Sequence, residues 1–81
     1  MKTEEIIMDR AFDAACLILK GETDWANQIM ERLKSNYPQN TEYIDGVYKL
    51  YIDAGTNNPD FVSSRGEYMI NNKNKIKLRF K

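Results

Sequence analysis

Three stretches of apolar residues, spaced three and four apart and divided by Gly21, Pro38 and Gly55, commit this chain to a small helical core. That spacing puts apolar side chains on one face of a 3.6-residue helix, whereas a strand would need strict alternation. In the first stretch Ile7, Met8, Ala11, Phe12, Ala14, Ala15, Ile18 and Leu19 form one broad stripe. Thr3 is placed to cap it, Glu4 and Glu5 suit the positive end of the helix dipole, and Gly21 suits a C-terminal cap. The spacing predicts a helix over about 4–20. In the second, Trp25, Ala26, Ile29, Met30, Leu33 and Tyr37 share one face, while Asn27, Gln28, Glu31, Lys34 and Ser35 cover the other. With Thr23 as cap and Pro38 disfavouring helix before it, this predicts a helix over about 24–36. The third stretch, Ile44, Val47, Tyr48, Tyr51 and Ala54, predicts a helix over about 42–54 that starts at Asn40 or Thr41 and stops at Gly55. Gly46 lies inside it, either to let another helix approach closely or as a tolerated accident.

Beyond the loop signal Thr56-Asn57-Asn58-Pro59 the character of the chain changes. Residues 1–60 carry 11 acidic and 6 basic side chains, whereas residues 61–81 carry 6 basic ones and a single acid, Glu67. The zero net charge is thus a cancellation between two regions. Glu67-Tyr68-Met69-Ile70 reads as a short strand and Asn71-Asn72-Lys73-Asn74 as a turn. Lys75 to Lys81 alternates basic and apolar residues, the period of a second strand. A C-terminal β-hairpin follows. Its rival is a helix from Pro59 to about Asn72, capped by Asn58 with Pro59 in the first turn, and then a lone strand. The expected fold is α+β and predominantly helical: three amphipathic helices around one small core, with a C-terminal hairpin or strand. One domain, 1–81, would comprise a helical body over 4–55 and a basic segment over 60–81.

Histidine is absent and Cys16 is the one cysteine. No Ser-His-Asp triad, Cys-His pair or imidazole metal site can be built, and one cysteine cannot form a disulfide framework. Gly21, Gly46, Gly55 and Gly66 are isolated, so no phosphate-binding glycine loop exists. Asp9 and Asp13, four apart, read as an exposed polar stripe. Cys16, in the run Ala14-Ala15-Cys16-Leu17-Ile18-Leu19, reads as a packing thiol. The expectation is a chain with no cofactor, no metal and no catalytic activity. The acidic start Glu4-Glu5 does not suit a signal peptide, and no apolar run approaches the roughly 18–20 residues of a membrane span. A cytoplasmic protein that does not enter membranes is expected.

Two regions stand out for binding. On the first helix Ile6 and Leu17 lie opposite the main stripe, close to Arg10 and Asp13. A helix apolar nearly all round is either deeply buried or shows such a second face to a partner, and these four are the candidates for that face. In the C-terminal segment Arg65, Lys73, Lys75, Lys77 and Arg79, with Lys81, could shield a sheet edge or contact phosphates. They could also flank Ile76, Leu78 and Phe80 as those residues add to a partner's sheet. Trp25, Tyr37, Tyr48 and Tyr51 fall on apolar faces and are expected in the core, leaving Tyr43 as the exposed aromatic.

Gly21-Glu22-Thr23-Asp24-Trp25-Ala26, continuing through Met30 and Leu33 to Pro38-Gln39-Asn40, resembles the second half of a tetratricopeptide repeat. Ala14 suits that family's first helix, but Arg10 and Asp13 stand where it has large apolar residues. The pattern recurs poorly from Thr41, and such arrays need about three repeats. The resemblance implies a helix hairpin and no more. Three helices followed by a basic hairpin are also similar in element order to a winged helix.

Together these features lead to the expectation of a small non-catalytic regulator or inhibitor that binds a larger protein partner. A winged-helix-like nucleic-acid binder using residues 65–81 is the alternative, and a homodimer is compatible with either. Abundant Lys, Asn, Ile and Tyr with few Pro and Gly is a bias of AT-rich coding DNA, compatible with a phage or mobile-element origin.

Overall fold

A computed structural model describes the backbone of residues 2–79 and the side chains through residue 76. Five α-helices follow one another: α1 Thr3–Leu19, α2 Thr23–Asn36, α3 Thr41–Asn57, α4 Asp60–Asn71 and α5 Lys73–Arg79, with a 3-10 turn at Pro38–Asn40 before α3. The expected first three helices are present within a few residues. Thr3 and Thr23 do not cap them, however, because each is the first helical residue and no side-chain cap bond forms. Gly21 performs as expected, at φ +87°, with its amide on the Ile18 carbonyl (3.1 Å) and the Glu22 amide on the Leu17 carbonyl (2.9 Å). These paired bonds make a Schellman stop, which glycine enters without the steric cost other residues incur.

The β-hairpin and the lone strand are both incorrect. No strand exists among the described residues, and residues 60–79 form α4 and α5. The rival reading of a helix to about Asn72 is the one that matches α4. Val62, Gly66 and Met69 are its buried residues, spaced four and three apart, with Ile70 half-buried beside them. That is a helical period whose middle member has no side chain to reveal it. Asn72 ends α4 by turning its side-chain amide onto the Tyr68 carbonyl at 2.8 Å. In α5, Ile76 is 8 % exposed and joins the core. Ile76 and Leu78, two of the apolar residues that suggested alternation, thus belong to a short helix that Ile76 anchors in the core.

At the centre is α1. Ile7, Ala11, Ala14, Ala15, Cys16 and Leu17 are all fully buried, and α2, α3 and α4 pack around the helix. Two glycines permit the closest approaches. A Cβ on Gly55 would lie 2.6 Å from Leu19 Cδ1 and 2.9 Å from Val62 Cγ1, and one on Gly66 would lie 2.9 Å from Lys20 Cγ and 3.3 Å from the Cys16 carbonyl oxygen. Gly46 has nothing within 4 Å, so of its two readings close approach does not hold. Gly55 does not stop α3, which runs on to Asn57. Trp25, Ala26, Ile29, Met30 and Leu33 of α2 and Ile44 of α3 complete the core as expected, with Tyr37, Val47, Tyr48 and Tyr51 at its margin. No described helix is long and apolar enough to cross a membrane.

Candidate functional site

The residues expected on a second face of α1 are not exposed together. Leu17 is fully buried in the core and Ile6 is half-buried. Asp13, expected in solvent, is 3 % exposed. It is buried because α4 crosses α1 there, Gly66 letting the two backbones meet beside Cys16. Arg65 comes with α4 and donates through Nε and a terminal nitrogen to the two Asp13 carboxylate oxygens, at 2.8 and 3.2 Å. Arg10, one turn before, donates to the same carboxylate at 3.2 Å. Two guanidinium groups around one buried carboxylate satisfy it, as a buried charge requires. The Asp13 hydrogen bond raises the Arg65 pKa further, against the opposing effect of burial. Arg10, Asp13 and Arg65 are therefore brought together, as the clasp between α1 and α4. Sequence reasoning had Arg10 and Asp13 as neighbours; the fold adds Arg65, 52 residues from Asp13.

Cys16 lies beside this clasp and is buried, as expected for a packing thiol. Burial first, and Asp13 second, push its pKa up to about 11. Its sulfur stays protonated at neutral pH and lacks the thiolate that reactivity needs.

The basic C-terminal residues are spread over α4 and α5 rather than along a strand. Lys73 reaches back to Glu22 of α2 at 3.5 Å and lies over the Trp25 ring at 5.8 Å, and Lys75 is exposed. Ile76 is spent on the core. Lys77, Leu78 and Arg79 belong to α5, with side chains outside the described set, and Phe80 lies outside the described residues altogether. A shallow concavity at the α4–α5 junction is lined by Ile70, Asn71, Asn72, Lys73, Asn74 and Lys75. Among the described residues no group of three or more Cys, Asp or Glu is placed to hold a metal ion.

A different surface emerges where α1, α3 and α4 meet. Phe12 packs edge-on against Tyr51 of α3 and Phe61 of α4, with ring centroids 5.2 and 5.3 Å away, and the Tyr51 and Phe61 rings are 6.2 Å apart. Phe61 remains 46 % exposed, and Met8, one turn before Phe12, 41 %. Tyr43 is 40 % exposed, as expected, and Leu50 is 65 % exposed on the adjoining flank of α3. Single exposed apolar residues are ordinary, but a contiguous group built on rigid helices marks a contact surface. The Tyr51 hydroxyl is held protonated above its usual pKa, chiefly by burial and then by Tyr43 and Asp9. Asp9 thus stands at the edge of this surface. Asp60 precedes Phe61 at the start of α4, and Glu5 lies one turn before Asp9 on α1.

Sequence reasoning missed the surface for two reasons. Met8, Phe12 and Leu19 were counted with the core stripe of α1, of which they form one edge. Phe61 lay in a helix held only as the rival to the hairpin, and no face was assigned to it. No family model matches the chain, and no curated protein or solved structure is similar to it.

Proposed function

We propose that this chain is a small non-catalytic protein-binding module, a regulator or inhibitor that engages a larger protein through the aromatic surface of α1, α3 and α4. The observation that carries this reading is the Phe12–Tyr51–Phe61 cluster, packed edge to face yet open to solvent at Phe61. Rigid aromatics at the centre of a contact supply much of the energy in protein interfaces, because they bury large areas at small entropic cost. The nucleic-acid alternative is less well supported. It relied on a wing that is absent among the described residues, and Lys73 is already engaged by Glu22 and Trp25.

Affinity capture from the native host, with and without nuclease, tests the reading when three baits are compared: the unaltered chain, Phe61→Asp and Lys75→Glu. A captured protein should survive nuclease, persist with Lys75→Glu and disappear with Phe61→Asp. Capture that needs nucleic acid, or that Lys75→Glu abolishes while Phe61→Asp leaves it intact, contradicts the reading.

A further inference from the structure

We infer that the segment docking on this surface is a basic amphipathic helix of another protein. Its apolar residues would rest on Phe12, Tyr51 and Phe61, and its lysines or arginines would meet Glu5, Asp9 and Asp60. The inference rests on the preceding reading of the aromatic surface as a binding site and adds the chemistry of the partner.

Charge at the rim is the first argument. Glu5, Asp9 and Asp60 flank the Met8–Phe12–Phe61 region, and none of them has an ion-pair partner among the described residues. Three described cations near α1 and α4 are engaged elsewhere. Arg65 is on Asp13, Lys73 is on Glu22, and Lys20 lies between Ser63 and Glu67. An apolar centre whose acidic rim has no ion-pair partner among the described residues matches an apolar segment flanked by cations, since complementary potentials steer and orient association.

Secondary structure supplies the second argument. An extended peptide binds by adding a strand to a sheet edge, and no strand is available among the described residues. A surface formed by helices receives a helix, through anchors spaced three and four apart.

A second copy of this chain fits the surface less well. A two-fold symmetric pairing places each surface residue against the same patch on its mate. The acidic rim would then be brought against a patch carrying the same acids, so the rim disfavours that occupant.

Fluorescence anisotropy with labelled synthetic peptides tests the inference on the full-length chain. One probe is an amphipathic helix of lysine and leucine, and the other has glutamate in place of every lysine. The lysine peptide should bind and the glutamate peptide should not. Phe61→Ala, and separately the pair Asp9→Lys with Asp60→Lys, should each weaken binding at least about tenfold. The pair Glu42→Lys with Asp53→Lys makes the same change of charge on the outer face of α3, and should weaken it less than about threefold. Circular dichroism verifies folding, and Met8→Ser replaces Phe61→Ala if the latter unfolds. Equal binding of both peptides, equal weakening by both charge-reversal pairs, or no binding of either peptide overturns the inference. So does self-association in sedimentation that Phe61→Ala abolishes. Failure here alongside a captured protein that still requires Phe61 leaves the binding reading standing. Capture indifferent to Phe61 removes both.

Discussion

Asp13 has almost none of its surface in water and draws on two arginines, one from its own helix and one from α4. The Asp13 side chain is 4 % exposed, whereas that of Arg65 is 40 % exposed, so the two partners contribute unequally. Removing the arginine strands a buried carboxylate, a change that costs several kcal/mol when nothing else compensates. Arg10 remains on one oxygen and moderates the loss. Arg65→Met should therefore lower unfolding free energy by about 1–3 kcal/mol in urea titrations. The double change Asp13→Leu with Arg65→Met should lose less than Arg65→Met alone, because no unpaired charge is then buried. A loss below about 0.5 kcal/mol for the single change, the size typical of surface substitutions, would mean that the clasp is incidental.

At the scale of elements, glycines decide how closely the helices pack. Gly46 is exposed on α3 with open space where a Cβ would go, so Gly46→Ala should stabilise the chain by about 0.5–1 kcal/mol through helix propensity. Gly55→Ala gains the same propensity but drives a methyl group to 2.6 Å from Leu19 and 2.9 Å from Val62. Overpacking of that kind costs about 1–3 kcal/mol, so the net effect should be destabilising. Thermal melts of the two variants should move in opposite directions, and a shift of both in the same direction would contradict the packing described for α3. The same two residues mark the limit of what the sequence discloses. Amphipathic spacing and the stops at Gly21 and Pro38 made α1, α2 and α3 legible, but a glycine used for close approach looks the same as one that ends a helix. Gly55 was therefore read as a stop, and Gly66 concealed the period of α4. Ser63, Ser64 and Arg65 further disguised that helix, since the polar residue that faces inward meets a charge on α1 rather than an apolar core. The expected site suffered for the same reason. Leu17 and Asp13 looked exposed because nothing local announces that the core takes in Leu17 or that Arg65 of α4 reaches Asp13.

For the whole molecule, the division of charge along the chain acquires an internal role. Arg65 to Asp13 and Lys73 to Glu22 both tie the basic C-terminal third to the acidic body, while Lys20 to Glu67 runs the other way. Part of the positive charge expected to face a partner is thereby consumed in closing the fold. Open at the junction of α1, α3 and α4 are aromatic rings beside acids that have no ion-pair partner among the described residues. Backbone amide NMR of the isotope-labelled chain, titrated with the protein captured by the unaltered bait, locates that partner directly. The account predicts chemical-shift changes concentrated at Met8, Asp9, Phe12, Tyr51, Asp60 and Phe61, with α2 and α5 nearly silent. Changes centred on Lys73–Arg79, with the aromatic surface unaffected, would contradict it.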